Sequence, residues 1–157
     1  LSGEYMLLVG SLIVVLMISI FMIANENELN IAMAAAKSGA DEGVASSSSA
    51  IYPKETFNEY DDMEGLKHPY SVSIVNVSYN SSGIDENYGK QKIQFKVYAK
   101  ASADYNKKEL DSIGDRINYN LRKSVAMSFN TADSTNKLYN PVFSNNYVFT
   151  TANVVWV

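Results

Sequence analysis

The chain has 157 residues, 13 basic against 17 acidic side chains for a net charge of -4, a single histidine and no cysteine. That balance argues against a nucleic-acid partner, which calls for a basic stripe, and offers no special attraction to anionic headgroups. Without cysteine there is neither a disulfide framework nor a thiolate metal site.

From Met6 to Ala24 no side chain is charged, and nearly every residue is aliphatic, Met, Phe, Gly or Ser. A run of that length matches the roughly 20 residues a helix needs to cross a ~30 Å hydrocarbon core. A secretory signal peptide would show a basic start, a shorter apolar stretch and a small-residue cleavage site. Here Glu4 is the one charge ahead of the run, so the expectation is a segment retained in the mature protein, with residue 1 a processed end.

After the polar collar NENELN, residues 25–30, Leu29, Ala32, Met33, Ala36, Ala40 and Val44 recur at helical spacing, and no proline intervenes before Pro53. This predicts one helix from about residue 2 to about residue 50, roughly 70 Å long at ~1.5 Å per residue. Its first half is apolar all round and must be buried in lipid or in other helices. Its second half carries small residues on one face, open to close approach by a neighbour. Gly39 and Gly43 read as weak points where the helix bends or melts.

Residues 52–69 read as a loop. Next, YSVSIVNVSY (70–79) reads as a strand with a bulge near Ile74 or a strand buried on both faces, because its alternation changes phase. NSSGIDENYG (80–89) reads as a turn, and KQKIQFKVYAKA (90–101) as the second strand of a hairpin. In that strand Ile93, Phe95, Val97 and Ala99 share one face, with Lys92, Gln94, Lys96 and Tyr98 on the other. Asp104 is the expected N-cap of a helix reaching about Phe129. Its inner stripe is Leu110, Ile113, Ile117, Leu121, Val125 and Ser128, with Lys107, Arg116 and Lys123 pointing elsewhere. LYNPVF suggests a short edge strand ending at Pro141, and the apolar C-terminal run YVFTTANVVWV must pair with a sheet or be covered.

Ser2, Glu4 and Tyr5 opening a long uncharged helix resemble the start of mature archaeal type IV pilin-like proteins. In that group a class III signal peptide is removed just before a Gln-x-Ser-x-Glu stretch that leads into the hydrophobic segment. Ser2 and Glu4 keep the mutual spacing of that pattern, whereas its Gln has no counterpart. The resemblance covers about the first 25 residues. It implies a precursor inserted transiently in the cytoplasmic membrane, a prepilin peptidase, and an assembly ATPase with its platform. The product is a homopolymer, an extracellular cell-surface filament whose core is built from the N-terminal helices. Glu4, Tyr5, Leu8, Leu12, Val15, Ile18, Phe21 and Met22 would be the assembly residues, Glu4 meeting the N-terminal amine of a neighbour if that amine is free.

The expected fold is α+β: a long N-terminal helix, hydrophobic half plus amphipathic half, packed on a small antiparallel sheet with one further helix. The pilin helix covers residues 1–50, with 1–25 as filament core or membrane segment, and the globular surface domain covers 51–157. The expected function is structural, for adhesion, and no enzyme activity, cofactor or metal is expected. A monomeric, single-pass membrane-anchored extracellular binding domain is the alternative.

The sequons Asn76-Val77-Ser78 and Asn80-Ser81-Ser82 are candidate N-glycosylation sites, Asn80 favoured by its turn position. The acids Glu59, Asp61, Asp62 and Glu64, and the segment Asp85–Gly89, read as solvated loops rather than calcium sites, the latter lacking the full ligand pattern. His68 has no second ligand at metal spacing and reads as a turn residue. No Ser-His-Asp set, Gly-rich phosphate loop or carboxylate pair stands out.

Overall fold

The computed structural model describes residues 3–44, 71–129 and 141–157, the side chains of 18–25 excepted. The elements are α1 (Gly3–Val44), β1 (Val72–Asp85), β2 (Lys90–Ala101), α2 (Lys107–Ser128), β3 (Val142–Phe143), β4 (Tyr147–Thr151) and β5 (Val155–Trp156). Together they form a mixed α+β fold with a five-stranded sheet. The expected loop at 52–69, with its acidic cluster and His68, lies outside the described residues. Within α1, side chains are described over 3–17, about fifteen residues, and again from 26 on. The two stretches have different surroundings: the first is exposed throughout, while the second packs into the head.

β1 and β2 form the expected antiparallel hairpin, Val77 opposite Val97 and Tyr79 opposite Phe95. The phase change in β1 is a bulge. The register shifts between Ile74 and Asn76, turning Val75 outward at 56% exposure. The turn is shorter than expected. β1 continues to Asp85 through a second irregularity between Ser81 and Ile84, so Asn80 stands on a strand. Gly89 closes the turn at φ 65°, its N–H donating to the Asp85 carbonyl at 2.8 Å.

The sheet is mixed rather than antiparallel. β4 and β5 both run parallel to β2, and β3 pairs antiparallel with β4, giving the order β1-β2-β4-β3 with β5 continuing beside β2. The reason is α2, a helical connection that carries the chain back to the end at which β2 began. The C-terminal run is thereby placed beside the central strand. Ala152 N–H donates to the Phe95 carbonyl and Val157 N–H to the Ala99 carbonyl, carrying the pairing across the break between β4 and β5. Pro141 precedes the edge strand β3 instead of ending it; there its missing N–H leaves no ladder bond unmade.

Asn106, not Asp104, caps α2. Its side-chain oxygen accepts from Glu109 N–H, and its amide donates to the Glu109 carboxylate, both at 2.8 Å. Tyr105 is buried with its hydroxyl 2.7 Å from that of Ser71, which pins the chain just ahead of the first turn.

Both helices lie on the sheet face that carries Ile93, Phe95, Val97 and Ala99, all buried. Tyr79, Phe95, Phe149 and Phe129 stand in a row there, successive ring centroids 6.4, 5.7 and 5.8 Å apart. α2 buries two sides, one on the sheet and one on α1, so more of it is covered than a single stripe. Ile113, Ile117, Leu121 and Val125 are buried as expected, but so are Arg116, Asn118, Tyr119, Asn120 and Arg122, while Ser128 is exposed. Asn118 donates to the Ala152 carbonyl at 2.8 Å and Arg122 to the Thr151 hydroxyl at 2.5 Å, tying α2 to the C-terminal strands.

Gly39 and Gly43 are packing positions, not hinges. A Cβ at Gly39 would sit 2.5 Å from the Asn120 carbonyl oxygen and 2.8 Å from Leu121 Cα; one at Gly43 would sit 2.8 Å from Ile117 Cα. With Ala32, Ala36 and Ala40, each fully buried, they form the seam along which α1 meets α2.

Candidate functional site

The head grips α1 from Glu28 onward. The Asn146 amide donates to the Glu28 carboxylate at 2.8 Å, and Leu29, Ala32 and Met33 pack on the core. Beside this latch Tyr147 is buried, and its phenol is raised above the ordinary 10.0, first by burial and then by the neighbouring Glu28 carboxylate and Tyr79. Tyr119 is raised likewise by burial, with Arg122 pulling it part of the way back. A raised phenol favours the neutral form in the folded state. Its contribution is therefore complete below the ordinary value and is lost as pH rises through the folded one. Thermal midpoints should fall on titration above pH ~10, and Tyr147→Phe should flatten part of that fall. An unchanged slope in Tyr147→Phe would contradict the burial of this ring.

Over residues 3–17 every large apolar side chain from Tyr5 to Met17 is exposed, Leu7 at 76% and Leu12 at 60%. At ~100° per residue, Glu4, Tyr5, Leu8, Leu12 and Val15 share one face roughly 100° wide. Leu16, Val9, Ile13, Met6 and Met17 cover the next 100°, and Leu7 and Val14, with Gly3, Gly10 and Ser11, cover the rest, so no polar face exists to meet water. Glu4 is the one charged side chain of the stretch and lies in the first turn of α1, where a negative charge suits the helix dipole. Ser11 donates to the Leu8 carbonyl at 2.9 Å and so hides its polarity against its own helix. Nothing lies within 4 Å of a Cβ built at Gly10. Of the remaining expected assembly residues, Ile18, Phe21 and Met22, the side chains lie outside those described. Among the described residues no helix is long and apolar enough to cross a membrane, the described apolar stretch ending at Met17.

Asn76 and Asn80 are exposed on β1, opposite Tyr98 and Gln94, on the sheet face away from the helices. Asp85 spends its side chain on the turn, accepting from Asn87 N–H at 2.9 Å. Among the described residues no cluster of His, Asp and Glu is arranged to hold a metal ion. A cleft of about 440 Å³ beside the ends of α1 and α2 is lined by Glu42, Asn120, Lys123, Ser124, Met127 and Ser128. It offers hydroxyls without a base in the geometry of a nucleophile pair, and Ser128 already donates to the Ser124 carbonyl.

Compared with known proteins, the chain matches no family model, no curated protein and no solved structure.

Two features escaped the sequence reading. The Gly39–Gly43 seam was visible as small residues but not its partner α2. The Glu28–Asn146 latch joins residues 118 positions apart, with no local signal.

Proposed function

We propose that the chain is a structural subunit of an archaeal type IV pilus-like cell-surface filament, polymerising through the helix that begins at Gly3. The observation that carries this reading is the stretch 3–17, apolar on all sides and exposed on all sides. At ~1.5–3 kcal/mol for each large side chain fully buried, covering it is worth on the order of 15–30 kcal/mol. Docking a subunit costs about 4–15 kcal/mol in lost freedom and ordering, so mutual burial wins. A bundle of copies of the same helix offers such an environment at every face. The precursor waits in the membrane; a prepilin peptidase and an assembly ATPase with its platform then transfer the helix from lipid to protein. In this reading α1 continues as one rod from the core of the filament to the seam with α2. Glu4, uncompensated within its own stretch, pairs with a cation of the neighbouring copy and sets axial register.

Electron microscopy of purified protein after detergent removal, and of shed cell surface, tests this. Helical filaments made of this chain are the expected result. Dispersed particles with vesicle-bound heads would instead fit a monomeric anchored binding domain and contradict the proposal.

A further inference from the structure

The even-numbered residues of β2 face away from the helices and place Lys92, Lys96 and Lys100 in one row, about 13 Å apart at ~3.3 Å per residue. Their cross-strand neighbours on β1 are uncharged: Ser78 opposite Lys96, Ser73 opposite Lys100. On the other side Val148 pairs with Lys92, and Val155 pairs with Tyr98 between the last two lysines. The one acid of the described strands on this face, Asp85, lies at its far end opposite Lys90. Lys90 itself is occupied, donating to the Ser144 carbonyl at 2.7 Å and lying over the Phe143 ring. Lys96 lies over the ring of Tyr98, 5.8 Å from its centroid, which holds an ammonium and an aromatic face side by side. A chain with net charge -4 thus keeps a row of cations on one face, where the described strands bring a single acid, Asp85, at the far end.

We infer that this row is a binding surface for an acidic polysaccharide, the lysines meeting carboxylate or sulfate groups and Tyr98 stacking on a sugar ring. Charge complementarity selects a polyanion. Direction selects one from the surroundings: α1 packs on the opposite side of the sheet, so a filament cored by α1 turns this face outward. A strand with cations at regular intervals suits an extended polymer better than a compact anion. The inference rests on the filament reading for its outward direction, but binding itself does not require assembly.

The test uses the full chain held in neutral detergent, flowed over immobilised alginate, with dextran as the uncharged control and duplex DNA as a second polyanion. Alginate binding is expected, weakening between ~0.01 and ~0.15 M salt as the screening length shortens from ~30 to ~8 Å. The triple substitution Lys92→Gln, Lys96→Gln, Lys100→Gln should weaken it at least tenfold. The triple Lys37→Gln, Lys107→Gln, Lys108→Gln, which removes the same charge from exposed helix positions, should leave it unchanged. Thermal midpoints of both variants, expected to equal the parent, separate loss of binding from loss of fold; Tyr98→Ala supplies a charge-neutral second probe and should weaken binding severalfold. Equal losses in the two triples, undiminished binding in the first, or tighter binding to DNA than to alginate would each overturn the assignment. Binding by detergent-held protein that never forms filaments would keep the surface and remove the filament.

Discussion

Val14→Asp is expected to abolish polymerisation while leaving the head folded. Val14 sits in the middle of the described apolar stretch at 55% exposure, and its neighbours Ile13 and Val15 are as open. In a bundle of copies that position is dry, and an ionised carboxylate moved there without a partner is several kcal/mol less stable than in water. The penalty recurs in every subunit along the polymer, so it is not diluted by length. The described residues of α1 that belong to the core of the head begin at Leu29, well beyond the exposed stretch 3–17. The far-ultraviolet spectrum and thermal midpoint of the head should therefore match the parent, while sedimentation after detergent removal shows no pelletable polymer. Glu4→Ala should impair assembly less completely, because it removes a register-setting charge without adding an unpaired one. Normal polymers from Val14→Asp would show that residues 3–17 are not the filament core.

Gly39→Ala should destabilise the head, against the usual direction of that substitution. In a helix interior Ala is favoured over Gly by about 1 kcal/mol. Here the added methyl group meets the Asn120 carbonyl oxygen at 2.5 Å, Ser124 Cβ at 2.7 Å and Leu121 Cα at 2.8 Å. Two of the three are backbone atoms of α2, which move only if the helices part. Overpacking of this kind costs ~1–3 kcal/mol, enough to outweigh the propensity gain, and Gly39→Leu should cost more. With ~4–8 °C of midpoint for each kcal/mol in a domain this small, Gly39→Leu should lower the thermal midpoint by on the order of 10 °C or more. A raised midpoint in Gly39→Ala would return Gly39 to the status of a flexible point in an otherwise unsupported helix.

That glycine shows where sequence reading stops. Its helical context was plain from the spacing of Leu29, Ala32, Met33, Ala36 and Ala40. What a small residue means there depends on whether another helix lies against it, and α2 is some seventy residues away in the chain, beyond any local pattern. β2 was the most legible element, since Ile93, Phe95, Val97 and Ala99 alternate with polar residues and are all buried. Alternation identifies the buried face of a strand but not its direction, so the parallel placement of β4 and β5 was not accessible. On α2 a single apolar stripe was visible. The second covered side is polar in sequence, and Arg116 and Arg122 are buried all the same, Arg122 donating to the Thr151 hydroxyl of β4. The apolar stretch at the start needed no structure to be seen; the structure adds that every large apolar side chain of its described part is exposed.

In the proposed filament residues 3–17 exchange lipid for copies of themselves, and a spin label reads this directly. The chain has no cysteine, so Leu12→Cys carries a unique label at the middle of the stretch. Continuous-wave and pulsed measurements would be made in detergent and again after detergent removal. Assembly is expected to bring strong dipolar broadening, from labels within roughly one or two helix diameters of ~10–12 Å, together with loss of access to both water-soluble and lipid-soluble quenchers. Labels that remain isolated from one another and open to lipid-soluble oxygen would place the helix alone in a membrane and contradict it.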